Sequence, residues 1–251
     1  ALMKNMVAIG ATSALMKLDT STFESLVTNI FAKKGDKVVK MNIRALNEGY
    51  HLMQDYLESI EGDFTLEATD ENPHLYMIGN DAIGLGAIAA GSRFMSAYPI
   101  TPASEIMEYM IANLPKIGGT VVQTEDEIAA ATMAIGSNYA GVRGFTASAG
   151  PGLSLMMESI GLSGMTETPF VVINTQRGGP STGLPTKQEQ SDLMQMIYGT
   201  HGDIPKIVVA PTDAEDAFYL TIEAFNLAEE YQCPVIVLSD LQLSLGKQTV
   251  K

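Results

Sequence analysis

The sequence predicts an α/β protein, a doubly wound parallel sheet preceded by a helical remnant of another domain. From His74 onward, short apolar runs alternate with helix-like stretches, the layout of a parallel sheet with crossover helices. Within Pro169–Asn174 and Lys206–Ala210, the stretches Phe170–Ile173 and Ile207–Ala210 are apolar without interruption, as strands buried on both faces are. Residues 1–60 carry a helical pattern instead.

In the first segment, Ser21-Thr22-Phe23-Glu24 has the spacing of a capping box. Phe23, Leu26, Val27, Ile30 and Phe31 follow on one helical face, and Lys33-Lys34-Gly35 supplies a basic last turn and a stop. A second helix is expected over about 36–57. So few helices cannot bury these faces alone, so 1–60 is expected to be the C-terminal part of a larger domain; a start at Ala1 rather than Met fits a chain cut at its beginning. Residues 61–73, acidic and without a period, read as a linker. The sheet domain then spans 74–251. Strands are expected at 75–79, 94–98, 120–123, 142–147, 169–174, 206–209 and 234–238, with helices over 103–114, 126–140, 151–163, 187–197 and 213–230.

Composition narrows the function. Hydrophobic residues make up 46% of the chain and charged residues 18%, a well-cored balance that excludes a disordered chain. A net charge of −14 argues against nucleic acid as partner. No apolar run approaches the ~20 residues of a membrane span, and no basic-then-apolar leader opens the chain, so a cytoplasmic location is expected. A single cysteine, Cys233, excludes a disulfide framework, a cysteine zinc site or an iron–sulfur cluster held by these residues alone. The 15 methionines read as core filler.

Several motifs fall at expected strand ends, where parallel sheets bind ligands. Tyr98-Pro99-Ile100-Thr101-Pro102 joins a strand to a helix, with Thr101 expected as cap and Pro102 at the first helical position. Glu125-Asp126-Glu127 precedes Ala129-Ala130-Ala131; acids crowd a helix start to offset its dipole, so a structural role stays open beside a catalytic one. Ser148-Ala149-Gly150-Pro151-Gly152 is a glycine turn offering free backbone N–H groups, or a plain connector. Arg177 follows a buried strand and opens the loop 178–185, with Thr186–Glu189 expected to cap the next helix; it either ties that loop or presents a forked donor to a carboxylate. Gly84-Leu85-Gly86 matches a dinucleotide fingerprint, but an Asp81 cap would place both glycines inside the helix, where they serve close packing. His201, alone in a turn, reads as structural or solvated.

Tyr98–Pro102, with residues 79–99, 125–152 and Gln176–Lys187, resembles the alpha subunits of 2-oxoacid:ferredoxin oxidoreductases, over essentially all of 74–245. Residues 1–60 resemble the end of the gamma-type domain fused ahead of it in many members. The resemblance implies the thiamine diphosphate-binding fold, in which two domains sandwich the cofactor, this one holding its pyrimidine. Glu127 then matches the catalytic glutamate that contacts the pyrimidine ring nitrogen, with Pro99, Ile100 and Gly150 as further cofactor contacts. Thr101 and Arg177 match the residues that hold the 2-oxoacid carboxylate.

On this resemblance the whole enzyme oxidatively decarboxylates a 2-oxoacid to an acyl-CoA and passes electrons to ferredoxin. The stretch Arg177–Lys187 is similar to the 2-oxoglutarate branch. A Gly-Asp-Gly…Asn magnesium motif and cluster ligands are missing here, so magnesium and the iron–sulfur cluster are expected on a partner beta subunit, without which this piece would be inert. Two rivals remain: a nicotinamide-dependent dehydrogenase, resting on Gly84 and Gly86, and a non-catalytic scaffold subunit, against which the joint presence of Thr101, Glu127 and Arg177 counts.

Overall fold

The computed structural model describes residues 3–66 and 74–250. The chain divides into two compact units, with the boundary between residues 72 and 73.

The first unit contains helices α1 (Lys4–Leu15), α2 (Ser21–Phe31) and α3 (Asp36–Gln54). Val27 of α2 is buried, but Leu26 and Ile30, expected on the same packed face, are exposed. The Ser21 capping box does not form. Thr20 is the N-cap without a side-chain bond, the Ser21 hydroxyl turns to Asp19, and Glu24 accepts a 2.8 Å bond from Asn47 Nδ2. Asp19, two residues earlier, offers the nearer acceptor. Residues 61–66 carry no regular element; the rest of the expected linker, 67–73, lies outside the described residues.

The second unit runs β1 (Leu75–Ile78), α4 (Gly79–Ala89), β2 (Phe94–Ala97), α5 (Ser104–Asn113), β3 (Thr120–Gln123), α6 (Glu127–Tyr139), β4 (Gly144–Ser148), α7 (Gly150–Met165), β5 (Phe170–Gln176), α8 (Leu193–Tyr198), β6 (Ile207–Val209), α9 (Ala214–Tyr231), β7 (Pro234–Asp240), α10 (Leu241–Leu245) and β8 (Lys247–Val250). Six strands form one all-parallel sheet in the order β3-β2-β4-β5-β7-β6.

Alternate residues of the central strands feed two cores. Val171, Ile173, Val235 and Val237 pack with α4, α5 and α9, while Phe170, Val172, Ile236 and Leu238 pack with α6 and α7. Successive side chains of a strand point to opposite faces, so a strand covered by helices on both sides must be apolar throughout. Phe145 and Phe225 meet edge to face at 5.8 Å in the first core. Fully burying one such ring contributes about 1.5–3 kcal/mol.

Two expected elements differ. β1 is not in the parallel sheet. It pairs antiparallel with β8, Leu75 opposite Val250, in a separate two-stranded ribbon. An apolar run signals a strand without naming its partner, and the polar β8, Lys247-Gln248-Thr249-Val250, gave no apolar signal of its own. The helix expected over 187–197 shrinks to Leu193–Tyr198. Its first half serves the preceding loop instead: Lys187 accepts from the Gly178 N–H at 2.8 Å and Glu189 from the Gly179 N–H at 2.9 Å.

Gly84 and Gly86 lie within α4. A side chain at Gly86 would come 2.5 Å from the Phe218 carbonyl oxygen of α9, so this glycine permits close helix contact and forms no phosphate turn. Among the described residues, no helix is long and apolar enough to cross a membrane.

Candidate functional site

The strand order reverses between β2 and β4: the chain steps from β2 outward to β3, then returns to the other side of β2. At such a switch point the loops leaving neighbouring strands diverge and open a crevice at the strand C-termini. The loop after β2 carries Tyr98–Ala103, and Ala149 joins β4 directly to the first turn of α7, Gly150–Gly152. Both expected motifs therefore flank the crevice.

The end of β2 is fastened to the start of α6. The fully buried Ser96 hydroxyl donates to the Ala130 carbonyl at 2.6 Å, and the Thr124 N–H to the Ala97 carbonyl at 3.0 Å. Asp126 is the N-cap of α6, accepting from the Ala129 N–H at 2.7 Å, and Glu125 lies exposed beside it. Glu127, the next residue, is only 7% exposed. One helix start thus separates the three acids: two face solvent and one is turned inward.

What Glu127 meets is informative. A methyl placed at Gly152, in the first turn of α7, would collide with the Ser148 hydroxyl and come within 3.0 Å of Glu127 Oε1. Glycine at 152 lets both groups pack against the α7 backbone. The Ser148 hydroxyl is fully buried and has no hydrogen-bond partner. An unpaired buried hydroxyl costs stability unless something else satisfies it. A buried carboxyl, an orphaned hydroxyl and a glycine that lets them approach gather polar groups where β4, α6 and α7 meet.

Arg177, just beyond β5, is 5% exposed. Its Nη1 donates to the Thr101 carbonyl at 2.6 Å and its Nη2 to the Thr182 carbonyl at 2.7 Å, while its buried Nε is unpaired. Burial holds its pKa below the ordinary guanidinium value. The guanidinium thus ties the loop after β2 to the loop after β5 and keeps donor capacity in reserve.

Thr101 and Arg177 are brought together, but through the Thr101 carbonyl; the threonine side chain lies on an exposed residue. Nor does Thr101 cap a helix. α5 begins at Ser104 with Ala103 as N-cap and no side-chain cap bond, and the Thr101–Pro102 peptide bond is cis. The Pro102 carbonyl is taken by Asn80, and the Ile100 carbonyl by the Ala103 N–H. Pro99 and Ile100 are half-buried, Ile100 against the first core.

A cavity of about 450 Å³ opens between the α7 N-terminus and the loop after β5, lined by Gly150, Arg177, Thr182 and Asp192 among others. Asp192 is a functional candidate that sequence reasoning missed. Its carboxylate accepts from Asn174 Nδ2 at 2.9 Å, its N–H donates to Gln176 Oε1 at 3.0 Å, and a side chain at Gly150 would meet Oδ2 at 2.9 Å. The available signal was Asn174-Thr175-Gln176, three polar residues ending an apolar strand. His201 is exposed, 3.6 Å from Glu158, and lines a different depression.

Residues 85–250 match the family described as pyruvate flavodoxin/ferredoxin oxidoreductase, thiamine diphosphate-binding, and residues 1–52 match pyruvate ferredoxin/flavodoxin oxidoreductase. A 2-oxoglutarate synthase subunit KorA from Methanothermobacter thermautotrophicus is 53% identical over 165 residues, which is 66% of this chain and 44% of the relative. The alpha subunit of 2-oxoacid:ferredoxin oxidoreductase 1 from Sulfurisphaera tokodaii is 42% identical across 98% of this chain and 40% of its own length. A solved 2-oxoglutarate:ferredoxin oxidoreductase from Magnetococcus marinus, with 2-oxoglutarate, coenzyme A and succinyl-CoA bound, superposes with a TM-score of 0.92 at 47% identity, over 99% of this chain and 43% of that one. The chain thus spans under half the length of these relatives. With the family model covering 85–250 and a 42% identical alpha subunit matching almost every residue, the chain belongs to the 2-oxoacid:ferredoxin oxidoreductase family and carries its thiamine diphosphate-binding domain.

Proposed function

We propose that this chain is the pyrimidine-holding part of a 2-oxoacid:ferredoxin oxidoreductase alpha subunit, of the 2-oxoglutarate type. The whole enzyme would convert a 2-oxoacid and coenzyme A to acyl-CoA and carbon dioxide, passing electrons to ferredoxin, and would act in the cytoplasm. A beta subunit would complete the cofactor site and supply magnesium and the iron–sulfur cluster; alone, the present chain would be inert. Residues 1–60 would belong to the gamma-type domain, 61–73 to a linker and 74–251 to the pyrimidine domain. The reading rests above all on Glu127, a carboxyl turned inward from a helix start, beside an orphaned hydroxyl and against a glycine where no side chain would fit.

In this reading Glu127 holds the aminopyrimidine nitrogen, and Pro99, Ile100 and Gly150 bound the ring. Thiamine diphosphate, when bound, supplies the nucleophilic carbon and electron sink that decarboxylation needs. The chain's own part is to hold a proton at Glu127, exclude water around it and fix the substrate. The Arg177 guanidinium would turn its reserve N–H groups on the 2-oxoacid carboxylate, with Thr101 beside it; a forked donor in a dry site suits that anion.

The test is a pair of variants in the complete enzyme. Glu127→Gln keeps the shape but not the exchangeable proton, and should fold, bind cofactor and lose more than about a hundredfold in kcat, the usual range for a proton-transfer group. Glu125→Gln, on the exposed side of the same helix start, should match the unaltered enzyme. Full turnover in Glu127→Gln would overturn the assignment.

A further inference from the structure

The loop that carries Pro99, Ile100 and Thr101 is held at two successive carbonyls by side chains from distant parts of the chain. Arg177 takes the Thr101 carbonyl at 2.6 Å. Asn80 takes the next one: its Nδ2 donates to the Pro102 carbonyl at 2.7 Å, across 22 residues of sequence. Asn80 is the second residue of α4 and is fully buried. Its place is fixed from behind, because a side chain on the preceding Gly79 would come 2.5 Å from the Leu243 side chain of α10. The helix start therefore cannot slide, and the amide is held at a set height against the loop.

The cost of this arrangement marks it as more than space-filling. Asn80 Oδ1 is buried with no hydrogen-bond partner. An apolar residue of the same size would avoid that unpaired acceptor. What it could not do is hold the Pro102 carbonyl. Without Asn80, Arg177 would be, among the described residues, the one side chain still hydrogen-bonded to a carbonyl of the loop, and Arg177 is the group assigned to the substrate.

We propose that Asn80 is a positioning residue for 2-oxoacid binding. By fixing the Pro102 carbonyl it keeps the Tyr98–Pro102 loop in place when the Arg177 guanidinium turns toward the substrate. The inference rests on the substrate-pocket reading given above for Arg177 and Thr101. A small displacement of a substrate-holding group is enough to weaken binding at a preorganised site.

The test uses the complete enzyme with its partner subunit. Asn80→Asp keeps the shape and replaces the donor with an acceptor; Asn80→Ser keeps a hydroxyl donor and leaves room for a bridging water. With coenzyme A and electron acceptor saturating, Asn80→Asp should raise the 2-oxoacid KM by about tenfold, the ratio that ~1.4 kcal/mol gives, with kcat within about threefold and the KM for coenzyme A unchanged. Asn80→Ser should fall between the two, and it decides alone if Asn80→Asp does not assemble. A purely structural role would lower the melting temperature and the folded fraction but leave the 2-oxoacid KM of folded enzyme as it was, which would overturn the proposal. Arg177→Lys, measured alongside, separates the two levels. If it raises KM while the Asn80 variants do not, the positioning role alone falls; if it too leaves KM unchanged, the substrate-pocket reading falls with it.

Discussion

Arg177 and Thr101, 76 positions apart in sequence, are joined by a 2.6 Å hydrogen bond from Nη1 to the threonine carbonyl. That bond links the loops leaving β2 and β5, two strands that are not neighbours in the sheet. β4 lies between them, and its C-terminal turn supplies Gly150 and Gly152.

Replacing Arg177 with lysine should therefore break two things at once. Lysine carries the charge but cannot reach the Thr101 and Thr182 carbonyls together, nor present a fork to a carboxylate. Loss of one charged hydrogen bond costs about 1.5–3 kcal/mol. In the complete enzyme, kcat/KM for the 2-oxoacid should fall roughly 10- to 150-fold, mainly through KM. Steady-state kinetics against the 2-oxoacid measure this, and unchanged values would remove Arg177 from the substrate site.

Gly152 gives a sharper test of the space beside Glu127. In Gly152→Ala the methyl must displace the Ser148 hydroxyl or the Glu127 carboxylate, overpacking that costs about 1–3 kcal/mol. Cofactor affinity, by titration of the complete enzyme with thiamine diphosphate, should drop by more than about tenfold on the same scale. Gly161→Ala, on the same helix but facing open space, is the control. It should raise thermal stability slightly, because alanine favours a helix by about 1 kcal/mol over glycine. Wild-type cofactor affinity in Gly152→Ala would show that the Ser148–Glu127 contact at Gly152 is not part of the site.

Cys233 offers a pH prediction that does not involve the site. It is 1% exposed, a free thiol just before β7, and burial pushes its pKa up. The folded state therefore keeps the proton to higher pH than the unfolded chain does. Stability from this group is fully present below the ordinary thiol pKa and declines as pH rises above about 8.5. Denaturant titrations should show that this alkaline loss is smaller in Cys233→Ala. A thiol reagent should label the native protein slowly and the unfolded chain at once; fast native labelling would contradict the burial.

Much of this fold was legible because its strands are buried on both faces. The runs Pro169–Asn174 and Val235–Leu238 announce themselves in any context that hides them, and the helices between them follow from period and spacing. Leu75–Ile78 reads as a strand for the same reason, yet nothing local records that its partner is Lys247–Val250 rather than the sheet. Residues 187–192 look helical by composition. Their side chains and backbone are claimed instead by Gly178, Gly179, Asn174 and Gln176, contacts that exist only once β5 is in place.

The candidate site divides in the same way. Local sequence set the helix start at Glu127, the glycine-rich start of α7 at 150–152 and the arginine beyond a buried strand, because caps and apolar runs are short-range features. Resemblance supplied the roles proposed for them. Only tertiary structure decided that Glu127 points inward while Glu125 and Asp126 stay outside, since that depends on the Ser96–Ala130 bond and on the packing of α6 against β2. Only tertiary structure brought Asn80 to Pro102, Arg177 to Thr101 and Asp192 to Gly150. Each joins segments whose separation in sequence carries no distance information, and each is fixed by where parallel strands end. The sequence by itself determined the elements and the chemistry available at their ends; the strand order determined which of those ends meet.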